Sequence, residues 1–451
     1  MRTFLQTILI ALLTFSLLAH AQSPPKRKKI KDFGSSLRRL KWNPEKGTAI
    51  ELATNQPAAN GEEDDVIRTD TSLVSSDLLV LDQHGQPVAG LTADDFTIAE
   101  DGAPQTVGHF STGDNVNIPR AIVLLIDYSG SQIPYLYNSI KAAKVLVGKL
   151  GPKDQMAIVT DDVDLIQDFT TDKNKLKEKL DLILDVVNPT PRVIDSRGRT
   201  PSAGLPFPRV GLSKQYSALM ATLHEAFQKS DVRRIIIFQT DGDEALYLRN
   251  PKVALTIPPG LRGEALKAAQ EKLALYQLQF PSNETEFSLE DLYRVVERER
   301  ATLYTVIPGV KFWGLPPEEQ LRKWNPSQLA QSAGWMGHVS SKRRDELRKR
   351  IEKENQNIDP VVVEANVDLI SKQQAILASV ASVSGGWADF LEVPEQADAI
   401  YSRIFSDINQ RYIVGYYPTN KERDGKRRKI EFKVKGHPEY QVYGRLWYFA
   451  P

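Results

Sequence analysis

Three small oxygen-bearing side chains follow one apolar segment at alternate positions. In "RAIVLLIDYSGSQ", residues 120–132, the aliphatic run ends at Asp127, and Ser129 and Ser131 come directly after it. Carboxylate and hydroxyl oxygens are hard ligands, which suit magnesium, manganese or calcium better than zinc or copper. The segment is therefore a candidate site for a hard divalent cation, and a plain polar loop is the alternative.

A second acidic cluster ends another apolar run. The segment "IIIFQT" is followed by Asp241, Gly242, Asp243 and Glu244. If both runs are strands of one parallel sheet, their carboxyl ends meet at one edge, where ligands of such sheets bind near the reversal of strand order. Carboxylates gathered there repel one another unless a cation compensates their charge. We therefore predict a site for Mg²⁺, or for Mn²⁺ or Ca²⁺, that includes Asp127 and Asp241.

The elements that must position these residues alternate along the chain. Apolar strand-like runs and amphipathic helix-like runs follow one another through residues 116–410. This alternation predicts an α/β fold with a doubly wound, mostly parallel sheet that is covered on both faces. Two charged, helix-like stretches interrupt the rhythm at about 245–300 and 310–375. We interpret both as insertions into the α/β domain.

The flanking segments have a different pattern. Residues 66–115 and 411–451 consist of short strand-like runs that are separated by glycine-containing turns. Neither segment has enough strands for a stable sheet of its own. We therefore predict one small β-sandwich-like domain that is built from both chain ends. Residues 22–65 are rich in Pro, Gly, Asn and Lys and lack periodicity, which predicts a disordered arm.

The amino-terminal residues predict export. Residues 1–21 combine a basic start, an apolar run and the sequence Ala19-His20-Ala21, which is typical of a signal peptide cleaved after Ala21. The apolar run is shorter than the roughly 20 residues of a membrane-spanning helix, so no membrane span is expected in the mature chain. We expect a secreted or periplasmic protein.

Composition excludes several classes of function. Removal of Arg2 with the signal peptide leaves 57 basic and 57 acidic residues, a balance that gives no reason to expect nucleic acid as a partner. The chain contains no cysteine. Thiol catalysis, cysteine zinc sites and disulfide bonds are therefore excluded, and stability must come from a buried core.

The two acidic motifs resemble a known arrangement. DxSxS after the first strand and TDG after a later strand resemble the metal-ion-dependent adhesion site of von Willebrand factor type A domains, whose fold is Rossmann-like. That family adds a threonine on the loop leading into an intermediate helix, before an alanine-leucine pair, and "YSALMATL" has Ser217 at that position. The resemblance implies that Ser129, Ser131 and Ser217 coordinate the ion directly. It also implies that Asp127 and Asp241 hold the ion through water or hydrogen bonds.

The resemblance extends over residues 66–451, apart from the insertions, to an acidobacterial-type family of exported VWFA-related proteins. It implies a non-enzymatic binding or adhesion-type protein, whose metal recognises a Glu or Asp side chain of a protein partner. Two departures bear on ligand access. The loop before Ser217 reads Lys214-Gln215-Tyr216 where the family commonly has glycines, and the insertions after Asp243 would lie near the metal.

Other classes of function give weaker matches. A metal-dependent phosphohydrolase with Asp127 as nucleophile needs an acid or base nearby, commonly two positions on, and Ser129 serves poorly in that position. A Ser–His–Asp hydrolase lacks a GxSxG motif, and His224 lies within a predicted helix. The aspartates of "TDDVD" (160–164) lack the Gly and Glu of a calcium loop, which predicts a turn between strands. A scaffold with a vestigial metal site is the remaining alternative.

Overall fold

The computed structural model describes most of the α/β and sandwich segments. The described residues are 33–43, 48–51, 73–112, 119–129, 131–187, 213–227, 232–249, 285–324 and 360–450, with Lys349 and a few positions between 261 and 270. The predicted signal peptide and much of both predicted insertions lie outside these residues.

The strands are numbered in chain order over the described residues. They are β1 Leu40–Asn43, β2 Thr48–Glu51, β3 Val74–Leu81, β4 Phe96–Glu100, β5 Ala103–Gln105, β6 Val107–Thr112, β7 Arg120–Ile126, β8 Gln155–Thr160, β9 Asp164–Thr170, β10 Arg233–Gln239, β11 Thr302–Pro308, β12 Ala388–Leu391, β13 Tyr412–Tyr416, β14 Arg427–Val434, β15 Gln441–Tyr443 and β16 Trp447–Phe449.

The α-helices are numbered in the same way. They are α1 Ile133–Lys149, α2 Lys173–Val187, α3 Gln215–Glu225, α4 Leu289–Arg298, α5 Pro360–Val383 and α6 Ala397–Gln410. Within the described ranges, no helix has both the length and the hydropathy that a bilayer crossing requires.

The central sheet has six strands in the order β12-β11-β10-β7-β8-β9. All neighbours are parallel except β9, which runs antiparallel to β8 at the edge. Because β7 lies between β8 and β10, the strand order reverses at β7. Ile126 and Gln239, the last residues of β7 and β10, are directly paired. The doubly wound, mostly parallel sheet predicted from the sequence is confirmed.

The composition of β7 explains why the sheet is covered on both faces. Val123 and Leu125 point into an apolar cluster with α3, α4 and α5, whereas Ile122, Leu124 and Ile126 point into a second cluster with α1, α2 and α6. A strand that is buried on both faces must be apolar at every position, and this accounts for the uninterrupted aliphatic run.

Two four-stranded antiparallel sheets form the flanking sandwich. Their orders are β15-β3-β13-β6 and β16-β14-β4-β5, so each sheet combines strands from both flanks of the chain. Leu78 and Val414 from one sheet and Ile98 and Ile430 from the other are buried in one apolar core. The sandwich-like assembly from both chain ends is therefore confirmed.

The prediction of a disordered arm is wrong for residues 33–43 and 48–51. A short 3-10 helix, Ser35–Arg39, leads into the β1–β2 hairpin. Phe33 is buried in the cluster that contains α3. At the end of α3, the Glu225 carboxylate accepts hydrogen bonds from the backbone N–H groups of Gly34 at 2.9 Å and Ser36 at 2.8 Å. These partners lie about 190 positions away, so local composition could not indicate them.

We expect Glu225 to hold this segment in place. In Glu225→Ala, the two N–H groups lose their acceptor, and we expect the free energy of unfolding to fall by about 1–3 kcal/mol. Trypsin should then cleave faster after Arg38 and Arg39. The matched control is Glu178→Ala, which removes an exposed carboxylate from α2. Cleavage at the same rate in both variants would contradict the prediction, and timed digestion with mass spectrometry measures it.

Candidate metal centre

The site lies at the adjacent carboxyl ends of β7 and β10. Asp127 follows β7 and its backbone N–H donates to the Gln239 carbonyl at 2.9 Å. Its side chain is only 2% exposed. The carboxylate accepts hydrogen bonds from Thr240 Oγ1 at 2.7 Å and from the backbone N–H of Ser129 at 2.9 Å. The Asp127 carboxylate is therefore held in one orientation by its own loop and by the neighbouring strand.

A single amide group lies among three carboxylates. Gln215 Nε2 donates to Asp127 Oδ2 at 2.8 Å, to Asp241 Oδ1 at 3.3 Å and to Asp243 Oδ1 at 2.5 Å. The Gln215 Oε1 atom accepts the Glu244 backbone N–H at 2.8 Å. An amide nitrogen carries two hydrogens and no charge. It cannot fully satisfy three carboxylates, and it does not neutralise them.

The pKa values of these carboxyl groups reflect their crowding. Burial and the nearby charge of Asp127 raise the pKa of Asp241 to about 6, against the opposing effect of hydrogen bonds from Ser131 and Gln132. Burial, together with the charges of Asp241 and Asp127, raises the pKa of Asp243 well above its usual range. Like charges in a poorly solvated site favour protons or cations. A proton or a bound cation therefore stabilises this cluster of carboxylates.

Two predicted ligands lie together on the accessible side of this cluster. The hydroxyl oxygens of Ser129 and Ser131 are 3.0 Å apart. Ser129 is buried, whereas Ser131 is exposed and also hydrogen-bonds Asp241. The cluster of Asp127, Asp241, Ser129 and Ser131 therefore reaches solvent beside Ser131.

Ser217 makes a different contact. It lies in the first turn of α3, and its hydroxyl donates to Glu244 Oε1 at 2.6 Å. Glu244 Oε2 also accepts the backbone N–H groups of Tyr216 and of Ser217, the latter at 3.0 Å. A carboxylate at a helix N-terminus satisfies unpaired N–H groups and the helix dipole. The Ser217 hydroxyl keeps both lone pairs, since it only donates to Glu244.

Glu244 is itself a buried carboxylate. Burial raises its pKa to about 7, although the hydrogen bonds from Ser217 and Tyr216 lower it. It was noted in the sequence as part of an acidic cluster, but its contact with α3 was not predicted.

Several residues of the site were missed by sequence reasoning. They are Gln132, Gln215, Thr240 and the turn residue Asp161, which accepts hydrogen bonds from the Tyr128 N–H at 3.2 Å and Ser213 Oγ at 2.9 Å. Asp161 lies in the turn between β8 and β9, as expected for "TDDVD". The departure from glycine before Ser217 was the one signal that pointed to Gln215.

The chemistry of the donor set fits a hard divalent cation. In the described part of the chain, no three His, Cys, Asp or Glu side chains form a metal-chelating group by themselves. The predicted ligand set is not a group of that kind, because it combines two carboxylates with serine hydroxyl oxygens. Gln132, which hydrogen-bonds Asp241, also has a buried Oε1 atom without a hydrogen-bond partner among the described residues. Excess negative charge and uncommitted oxygen atoms are the features that such an ion compensates.

Comparison with known proteins gives structural matches only. No protein-family model matches the chain, and no curated protein matches it. Among solved structures, the conserved hypothetical protein BatB from Bacteroides thetaiotaomicron matches at 12% identity and a TM-score of 0.32, over 64% of this chain and 98% of that chain. The von Willebrand factor type A protein from Catenulispora acidiphila matches at 10% identity and a TM-score of 0.30, over 85% and 64%. The manganese-loaded TRAP protein of Plasmodium vivax matches at 10% identity and a TM-score of 0.29, over 78% and 97%.

These sequence identities and TM-scores are too low to support a functional argument. The fold is identified from the sheet itself. The sheet has one antiparallel edge strand, helices on both faces, and DxSxS and TDG at adjacent strand ends. The α/β part of the chain has the fold of a von Willebrand factor type A domain. The resemblance predicted from the sequence is confirmed at the level of fold.

Proposed function

We propose that this chain is an exported, non-enzymatic binding protein that captures an acidic side chain of a protein partner through a bound divalent cation. The observation that supports the proposal is the contact of one neutral amide, Gln215, with three buried or half-buried carboxylates. Such a cluster gains stability from a cation, and it lies at the edge of the sheet where ligands of this fold class bind.

The proposed ligands are the five residues named from the sequence. Ser129, Ser131 and Ser217 would hold the ion through their hydroxyl oxygens, and Asp127 and Asp241 would hold it through water or hydrogen bonds. When bound, the ion supplies an electrophilic centre for a carboxylate oxygen of the partner. Mg²⁺ is the ion we expect, with Mn²⁺ or Ca²⁺ as alternatives.

The surrounding residues orient these oxygen atoms through hydrogen bonds. Thr240 fixes one oxygen of Asp127 at 2.7 Å, so the carboxylate does not have to reorient. Glu244 accepts a hydrogen bond from the Ser217 hydroxyl, which leaves the lone pairs of that hydroxyl available. Gln215 offsets part of the repulsion between the carboxylates without adding a positive charge, so it competes with a cation less than a lysine would.

We expect saturable binding of one Mg²⁺ or Mn²⁺ ion per chain, and we expect Asp127→Ala to abolish it. Removal of this carboxylate takes away the central negative charge and the acceptor that orients Thr240 and Gln215. Isothermal titration calorimetry on the chain without residues 1–21 measures both. Asp94→Ala, which removes an exposed aspartate from the sandwich, is the control and should bind as the wild type does. If Asp127→Ala bound the ion with unchanged affinity, the site would lie elsewhere.

A scaffold with a vestigial metal site is the second candidate. In that alternative, the hydrogen bonds from the Gln215 amide to Asp127, Asp241 and Asp243 stand in place of a bound ion. If the wild-type protein binds neither ion in the calorimeter, this alternative holds. A hydrolase that uses Asp127 as nucleophile is disfavoured, since that carboxylate is buried and accepts three hydrogen bonds.

A further inference from the structure

A cavity of about 670 Å³ lies where α4, the β1–β2 hairpin and the last strands of the sandwich meet. Its wall includes Arg300, which precedes β11 by two positions. The cavity is therefore at the amino-terminal edge of the parallel sheet, opposite the carboxyl edge that carries Asp241. Its volume is within the range of small-molecule sites in proteins.

Two ionisable side chains on the cavity wall are buried and have polar atoms without hydrogen-bond partners among the described residues. Glu297 is 2% exposed, and neither of its carboxylate oxygens has a partner among the described residues. Arg445 is 8% exposed, and its Nε–H group likewise lacks a partner within the described part of the chain. Buried polar groups are almost always paired, because an unpaired one loses its hydration without compensation. Two residues of one cavity wall thus each have a buried polar group that lacks a partner among the described residues.

The charged residues that line the cavity favour a negatively charged ligand. Among the described residues, six Arg and Lys side chains but only three Asp and Glu side chains line it. Burial also raises the pKa of Glu297 to about 8, although Arg445 and Arg427 lower it. At neutral pH, a protonated carboxyl group presents an O–H donor beside a carbonyl acceptor. This pair of atoms matches the C=O and N–H of a peptide group.

Apolar side chains complete the wall. Leu73, Phe287, Val295 and Phe449 line the same cavity. Arg294 lies over the Phe449 ring at 4.1 Å from the ring centroid, so a guanidinium group and an aromatic surface are adjacent. The cavity therefore offers a cationic region, a carboxyl group that pairs with amides, and an apolar surface.

We propose that this cavity is a second binding site, separate from the metal centre, that takes a short peptide through its C-terminal carboxylate. The carboxylate pairs with the Arg445 guanidinium, since charge-assisted bonds of this type are among the strongest hydrogen bonds in proteins. A backbone amide of the peptide pairs with Glu297, and its side chains lie against Leu73 and Phe449. Capture of a terminal carboxylate is a recurring mode of peptide recognition.

The test uses an equimolar library of tripeptides with free carboxyl termini, and the same library with amidated termini. Native mass spectrometry of the chain without residues 1–21 should show one free-acid peptide per chain. Amidated peptides should bind at least tenfold more weakly. Binding should be unchanged by EDTA, because the cavity and the metal centre lie at opposite edges of the sheet.

Two variants test the role of the guanidinium group. Arg445→Gln should weaken binding of the free-acid library at least tenfold. Lys421→Gln removes one positive charge from an exposed residue of the same cavity and should change binding less than twofold. Circular dichroism checks that both variants are folded. If Arg445→Gln does not fold, the comparison of free and amidated peptides on the wild-type protein still tests whether the terminal carboxylate is recognised.

Three results would overturn the inference. They are the absence of adducts at millimolar library concentration, equal binding of free and amidated peptides, and loss of binding with EDTA, which would place the peptides at the metal centre. Whether the metal centre binds an ion is measured separately, by the calorimetric experiment on the wild type and Asp127→Ala.

Discussion

Replacement of Arg411 by methionine should lower the free energy of unfolding by about 3–5 kcal/mol, the range for one partner removed from a buried ion pair. Arg411 is 1% exposed, and two of its nitrogens donate to the Asp407 carboxylate at 2.7 and 2.8 Å. A third nitrogen donates to the Asp77 carbonyl at 3.1 Å. The side chain therefore connects α6 to β3 of the sandwich.

The cost arises mainly from the partner that is left behind. Asp407 is buried, and besides the bonds from Arg411 it accepts a hydrogen bond from Trp387 Nε1 at 2.7 Å. Methionine fills a similar volume but leaves the Asp407 charge uncompensated. The double variant Arg411→Met/Asp407→Leu should recover much of the loss, because no buried charge then remains.

Urea denaturation of both variants and the wild type measures these differences. Arg403→Met is the matched control, since Arg403 pairs with Asp389 at 3.2 Å but is largely exposed on the same helix. Exposed pairs contribute about 0–1 kcal/mol, so this variant should be close to the wild type. An equal effect of the two substitutions would show that the Arg411 pair does not stabilise the junction.

Gly386→Ala should be the most damaging small substitution in the α/β domain, with a loss of about 3 kcal/mol, the upper end of the usual range for overpacking. A Cβ atom at this position would lie 1.9 Å from the Leu303 carbonyl oxygen and 2.8 Å from its carbon. Leu303 belongs to β11, which is hydrogen-bonded on both sides in the central sheet. The backbone cannot yield there without breaking the register of the sheet.

Gly148→Ala is the control and should have the opposite sign. Gly148 lies in α1, and an added Cβ would meet nothing within 4 Å. Alanine in a helix interior is favoured over glycine by about 0.5–1 kcal/mol. Thermal and urea unfolding of the two variants should therefore diverge. Destabilisation of similar size in both would mean that loss of glycine flexibility, rather than the contact with Leu303, is the cause.

The sequence by itself determined the class of fold. A run such as "AIVLLI" has no polar position, so it is stable only as a strand with both faces covered, and the periodic helices between such runs supply that cover. The end of β7 at Asp127 and the end of β10 before Asp241 followed from the same pattern. Sharp turns were also readable, because a Gly such as Gly425, with a φ of 65°, tolerates a backbone that other residues rarely adopt.

The contacts between distant segments were decided only by the tertiary structure. Nothing near Gln215 in the sequence shows that its amide contacts three carboxylates, and nothing near Ser217 shows that its hydroxyl donates a hydrogen bond to Glu244. Nothing near Phe33 shows that the arm packs against α3. Periodicity and turn chemistry are local properties, whereas each of these side chains has a partner chosen by the packing of elements that lie far apart in the chain.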